Sequence, residues 1–452
     1  MRKLFFENAL LPGGWARNVA VDIDAAGAIA AVEANADARG LAADGKIALP
    51  GLANLHSHAF QRAMAGLAEF RGDGEDDFWS WRTVMYRFAA DLSPDQLQAI
   101  AAQAYAEMLE SGFTAVGEFH YLHHQPDGRP YADRAEMAAR LADGAVEAGV
   151  GLTLTPVFYA HGDFGGAPAH PEQRRFINDM DGFSKIMDGA ARALSALPGA
   201  VLGVAAHSLR AVAPEELDGL LNAWLGGPVH IHAAEQTKEV EACRAWSGRR
   251  PVEWLLDHCK VDARWQLVHA THMTDAETDA VAQSGAVVGL CPITEANLGD
   301  GVFNGVRYCA AGGRWGVGSD SHIRIDAAEE LRSFEYSQRL FSRARNAIAA
   351  PGASTGRTLF NAAASGGAQA LGRKTGALVP GHDADIVALD AGHPVFAGGK
   401  DDQWLDGWIF AGGKDCVQSV WARGRKVVEG GRHIARERIV GRFRAAMKEL
   451  CT

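Results

Sequence analysis

Two histidines one residue apart, His56 and His58 in LPGLANLHSHAF, are the side chains of this sequence best suited to hold a metal. Side chains alternate along a strand, so both point to the same side and can share one ion. An isolated His-x-His pair is better explained as two hydrogen-bonded core histidines. Here three more hydrophobic, strand-like runs end in groups of the same chemistry: His232 in PVHIHAAE, His269 in WQLVHATH and Asp320 in RWGVGSDSH. Nitrogen and carboxylate donors at four separate strand ends are hard to explain as core filling. They read as one metal-dependent hydrolytic site, with His56, His58, His232 and Asp320 as the protein ligands. Neutral imidazoles and a carboxylate suit Zn²⁺. A catalytic zinc keeps one position open for water and lowers that water's pKa to about 7.

Proton transfer needs further groups. Glu235 follows His232 by three residues, just past a strand end, where a carboxylate can stand beside the metal and carry a proton to a leaving nitrogen. Its bland reading is a solvated glutamate at the start of the next helix. His269 could hydrogen-bond the attacking water or polarise the substrate, and Asp320 could also take the proton from that water. Asp320 in GSDS is otherwise an ordinary turn or cap residue. Alternation leaves His230 competing with His232, and His272 with His269, because each pair shares a face.

Substrate contacts should come from the loops that follow the strands. Arg82 in DDFWSWRTVMYRF and Arg210 in AAHSLRAV follow strands one and four, and arginine suits two-pronged recognition of a carboxylate. Gln61, Tyr121 and His207 also follow strand ends and could complete a polar pocket. Trp79 and Trp81 are expected to pack a lid. NLGDG at 297–301 is no phosphate loop, because no lysine follows in the required spacing. The strand-four run VLGVAAHSLR also lacks the lysine that would bridge two metals. This favours one metal, and attack on a C=N carbon rather than on an amide.

The elements that must position these residues alternate strand and helix across the middle of the chain, as in an α/β protein built on a (β/α)₈ barrel. Candidate strands are 51–58, 114–120, 152–159, 201–208, 229–235, 266–272, 286–292 and 314–320. Ser93-Pro94-Asp95-Gln96 and Thr274-Asp275-Ala276-Glu277 are helix-start signals, closed by Gly112 and Gly285. A doubly wound sheet would alternate too, but its G-x-G-x-x-G after the first strand is missing. Short strand-like runs with turn punctuation fill residues 1–48 and return after 374. The expected division is therefore a small β-sandwich domain from 1–48 and 375–452, the latter with a C-terminal helix, around a barrel at 49–374.

The bulk composition sets limits. Hydrophobic residues at 48% and charged ones at 22% describe a soluble globular chain. A net charge of −11, without a basic stripe, argues against a nucleic-acid partner. Six scattered cysteines without a C-x-x-C pair fit reduced thiols and a cytoplasmic location. Three apolar residues ahead of Glu7 are too few for a signal-peptide core, and no apolar run reaches membrane-spanning length. A homodimer is the base-rate expectation.

With these residues in place, the chain resembles the amidohydrolase superfamily over nearly its whole length. Within it the chain looks most like the formimidoylglutamate deiminases of bacterial histidine degradation. HSHAFQRAMAGL at 56–67, FWSWR at 78–82, GEFHYLHH at 117–124, HSLRAV at 207–212, HIHAAEQ at 230–236, LVHATH at 267–272 and GLCPITEANLGDGVFN at 289–304 carry the likeness. The resemblance implies one Zn²⁺ per subunit, with Fe²⁺ or another divalent ion as the alternative, held by His56, His58, His232 and Asp320. It implies that Glu235 and His269 work beside the metal. It also implies that Gln61, Arg82, Tyr121, His207 and Arg210 face a small dicarboxylate, N-formimino-L-glutamate, which is hydrolysed to N-formyl-L-glutamate and ammonia. A related deaminase acting on a purine or another heterocycle is the competing reading. A non-catalytic metal-binding relative is the third.

Overall fold

The strand that carries the histidine pair, Leu52–Ser57, is buried at every position, as a barrel strand covered on both faces must be. It opens a parallel series that continues through Phe113–His120, Gly151–Phe158, Val204–Ala206, Val229–Ala233, Trp265–His269, Val287–Leu290 and Arg314–Val317. The structure is a computed structural model and describes residues 2–37, 39–40, 42–71 and 76–451. First and last strands meet at the functional end. A parallel bridge joins Ser57 to Asp320, Asp320 N donates to His56 O at 3.0 Å, and His58 N donates to Asp320 O at 3.1 Å. A Cβ on Gly318 would lie 2.7 Å from His56 N and O, so glycine is needed for the two segments to come this close. This is the expected (β/α)₈ barrel.

Local signals account for the helices. In Pro94–Ser111, Ser93 Oγ accepts from Gln96 N and Gln96 Oε1 accepts from Ser93 N; Gly112 then ends the helix at φ 101°. Thr274 and Glu277 repeat the device in Asp275–Ser284. Five strands stop two or three residues before their expected ends, at Ala206, Ala233, His269, Leu290 and Val317. At Ala233 and His269 the cause is local: Ala234, His269 and Ala270 take positive φ (52°, 65° and 48°), which turns the chain out of the ladder at the barrel mouth. The expected strand 201–208 is split, with Val201–Leu202 pairing separately to Gly151–Phe158.

The chain ends form one separate ladder of eight strands. Gly45–Pro50 is its hinge. It pairs parallel with Arg2–Leu11 and antiparallel with Ile386–Leu389, and Gly51 alone separates it from the histidine strand. Leu4, Phe6, Val21, Ile386 and Trp421 share a core there, with Phe6 edge-on to Trp421. The expected C-terminal helix is Arg436–Leu450. Among the described residues, no helix is long and apolar enough to cross a membrane.

Candidate active site and metal centre

His56 Nε2 is the hub of the site. It lies 3.2 Å from His58 Nε2, 3.1 Å from His232 Nε2 and 3.5 Å from Asp320 Oδ1; His58 Nε2 is itself 3.3 Å from Asp320 Oδ1. The protons show why these atoms fit a cation. His58 Nδ1 lies 2.9 Å from the carbonyl of Phe119, and His232 Nδ1 lies 3.0 Å from the carbonyl of His207. A carbonyl only accepts, so each Nδ1 carries the proton and each Nε2 presents a lone pair. Burial lowers all three imidazoles, most strongly His56 and His232, and neighbouring histidines add to the effect on those two. Neutral nitrogens facing one another and a carboxylate at these distances repel unless a positive ion lies among them. The distances from His56 match adjacent donors about 2.0–2.2 Å from a shared ion, and the clustered donors fall into two groups that share His56, His56–His58–Asp320 and His56–His232–His269.

His269 differs from these three. Its Nδ1 lies 3.2 Å from Glu295 Oε1, while its Nε2 is 3.7 Å from Glu235 Oε1 and 3.8 Å from Asp320 Oδ2. Burial alone would lower this imidazole, but the surrounding carboxylates outweigh it and raise it well above its ordinary value. Its Nδ1 is hydrogen-bonded to Glu295, while its Nε2 faces Glu235 and Asp320 beyond hydrogen-bond distance. Burial pushes the Glu235 carboxyl up to about 7, aided by the Asp320 charge and opposed by His269. Both protonation states of Glu235 are therefore accessible near neutral pH, as a proton carrier requires.

One pocket gathers the remaining expected residues: Gln61, Arg82, Tyr121, His207 and Arg210 line it with His58, His232, Glu235, His269 and Asp320. Gln61 Nε2 donates to Tyr121 OH at 3.0 Å, and Gln61 Oε1 is buried without a partner. Arg82 lies 4.4 Å over the Trp79 ring, and Arg210 lies 5.6 Å from the same ring. Arg210 is buried, and its Nε has no hydrogen-bond partner. Among the described residues, neither guanidinium makes an ion pair. Phe78 and Trp81 line the pocket from the helix Phe78–Asp91, which Asp77 caps. The competing histidines point elsewhere: His230 Nε2 meets the Ala370 carbonyl, and His272 Nε2 meets that of Asp300.

Residues 47–427 match the family model described as "Amidohydrolase family". The chain belongs to the amidohydrolase family. Residues 1–48 match the model described as "Formimidoylglutamate deiminase HutF, N-terminal domain". This amidohydrolase is 51% identical to a formimidoylglutamate deiminase of Pseudomonas aeruginosa, with all of both chains covered. It is 28% identical to a 5-methylthioadenosine/S-adenosylhomocysteine deaminase of Natronomonas pharaonis, over 83% of this chain and 81% of that one. Among solved structures, an amidohydrolase from Brucella melitensis superposes with TM-score 0.96 at 54% identity, again covering both chains in full. An adenosine deaminase from Xanthomonas campestris with bound zinc superposes at 0.80 and 22% identity, over 99% and 98% of the two chains, which speaks to the fold alone.

Several residues of this amidohydrolase's site escaped the sequence reading. Glu118, inside the apolar strand Phe113–His120, accepts from Ser57 Oγ at 2.5 Å and from Ala59 N at 2.8 Å. Burial pushes its carboxyl up to about 7 against those two bonds. From Ser57 the network runs through His322 to Ser319 and Asn54, tying the histidine strand to the Asp320 loop. Glu295 accepts from Cys291 N at 2.8 Å and so fixes the oxygen that faces His269. A charged residue within an apolar run was the available signal for Glu118, because such groups are buried only when partnered.

Proposed function

We propose that this chain hydrolyses N-formimino-L-glutamate to N-formyl-L-glutamate and ammonia, as a cytoplasmic enzyme of histidine degradation carrying one Zn²⁺ per subunit. One observation carries the reading: two guanidiniums without ion-pair partners among the described residues, Arg82 and Arg210, face the pocket that holds the histidine–carboxylate cluster. A dicarboxylate supplies each with a direct ion pair, whereas a neutral heterocycle supplies neither. Full-length identity of 51% to a curated formimidoylglutamate deiminase supports the same substrate.

His56, His58, His232 and Asp320 would hold the ion, which when bound activates water at neutral pH and polarises the C=N bond. Glu235 takes a proton as water adds to the formimino carbon, and delivers it to the nitrogen that leaves as ammonia. His269, held by Glu295, keeps positive charge beside Glu235 and Asp320 and steadies both while the proton moves. Arg210 and Arg82 hold the two carboxylates away from the reacting carbon, and Gln61 and Tyr121 close the polar wall beside His58. The juxtaposed Glu235 and His269 argue against a purely metal-binding scaffold, since binding alone requires neither.

Ammonia release from N-formimino-L-glutamate, compared with guanine and adenosine under the same conditions, tests the assignment. Efficient release from the formimino amino acid alone is expected. A better rate with either purine compound overturns it.

A further inference from the structure

The segment that carries Glu235 is a sharp turn between the strand Val229–Ala233 and the helix Thr237–Ser247. Ala234 holds the turn at φ 52°, a left-handed conformation that a residue with a Cβ avoids unless its surroundings impose it. The imposing group is close in sequence. Glu239, buried at 2% exposure, sends both carboxylate oxygens back to the turn: Oε1 accepts from Ala234 N at 3.2 Å and Oε2 accepts from Glu235 N at 3.0 Å. The helix has no side-chain cap at Gln236, so this carboxylate is spent on the two amides that precede the helix rather than on its first turn. Glu239 also acts toward Arg210. Burial works against the Arg210 charge, and the Glu239 carboxylate is the foremost group sustaining it.

We infer that Glu239 is a positioning residue: by clamping two consecutive amides it fixes the direction in which Glu235 enters the pocket, and so sets the geometry of proton transfer. The inference rests on the deiminase reading for the step it serves, but the clamp itself can be tested without that reading. Glu239→Gln keeps the volume and replaces one acceptor oxygen by an amide NH₂, which cannot accept from a backbone N–H.

The experiment compares the parent, Glu239→Gln, Glu235→Gln and the double variant. Metal content, kcat and KM are measured for formiminoglutamate, together with hydrogen–deuterium exchange across 230–238. With metal content unchanged, Glu239→Gln is expected to lower kcat about 10–100-fold, the scale set by misplacing a reacting group. Exchange at the Ala234 and Glu235 amides should quicken. In the Glu235→Gln background the same change should cost less than about twofold in kcat, because its effect passes through Glu235. Any loss passed through Arg210 falls in KM and is separated by that split. Equal fold-losses of kcat in the two backgrounds overturn the proposal, as does unchanged amide exchange. If Glu239→Gln does not fold, Glu239→Asp, which keeps the charge and shortens the reach, is read in the same way. If the parent releases no ammonia from formiminoglutamate, the deiminase reading fails, and the exchange measurement decides the clamp alone.

Discussion

Replacing Arg210 by methionine removes a charge while keeping much of the side-chain volume, and the structure sets the size of the effect. The guanidinium is buried, its Nε is unpartnered, and it makes no ion pair among the described residues, so its strongest bonds await the substrate. A charge-assisted hydrogen bond contributes about 1.5–3 kcal/mol, so Arg210→Met should lower kcat/KM by roughly 10–150-fold. The carboxylate sits remote from the reacting carbon and is held equally in ground and transition states, so most of the loss should appear in KM. The decisive assay pairs the variant with shortened substrates: formiminoglutamate, an analogue without the α-carboxylate, and one without the side-chain carboxylate. The parent should lose heavily on either truncation. Arg210→Met should lose little more on the truncation that removes its own partner, and Arg82→Met should show the same pattern with the other analogue. Penalties that simply add for both analogues would refute the pairing. So would two variants whose kcat/KM stays within about threefold of the parent, below the loss of one such contact.

Elemental analysis should find one divalent ion per chain, and chelation should abolish activity; two tightly held ions would contradict the His56, His58, His232 and Asp320 set. Glu235→Gln should lower turnover about 10²–10⁴-fold with metal content little changed, and near-normal turnover would return Glu235 to a structural role. His269→Asn should likewise reduce turnover more than metal content, as kinetics and metal analysis on one preparation will show. Burial holds His123 down to about 3, against its bond to the Val157 carbonyl. The unfolded chain therefore gains a proton below about pH 6.5 that the folded chain refuses, and stability should fall by about 1.4 kcal/mol per pH unit from there toward pH 3 on this account. Melting temperatures of the parent and His123→Gln over pH 4.5–7 will check the sign, since the variant should flatten that slope.

The site was readable where its chemistry lies at strand ends. His56, His58, His232, Asp320, Glu235 and His269 each close a recognisable apolar run, and a barrel brings all such ends to one face. Arg210 stands close behind such a run, whereas Arg82 lies in the helix Phe78–Asp91, well past the first strand, and reaches the pocket from there. Strand limits were less readable. Alanine carries no turn signal, yet Ala234 and Ala270 bend the chain, because neighbouring groups fix their backbone rather than their own preference. Glu118, Glu239 and Glu295 stayed hidden because their partners are backbone amides or residues far along the chain. A lone glutamate in a helix's first turn looks the same whether it faces solvent or holds an active-site turn.

The seam at which the barrel closes has a consequence for how the protein is made. Asn54 and Ser319, hydrogen-bonded across that seam, are 265 residues apart. The donors beside them come from the opening and the final strand, so no early fragment of the nascent polypeptide contains a working site. Contacts of such sequence separation form late and slowly. A chain that stops short of Arg314–Val317 carries His56 and His58 without Asp320, and so holds only part of the donor set.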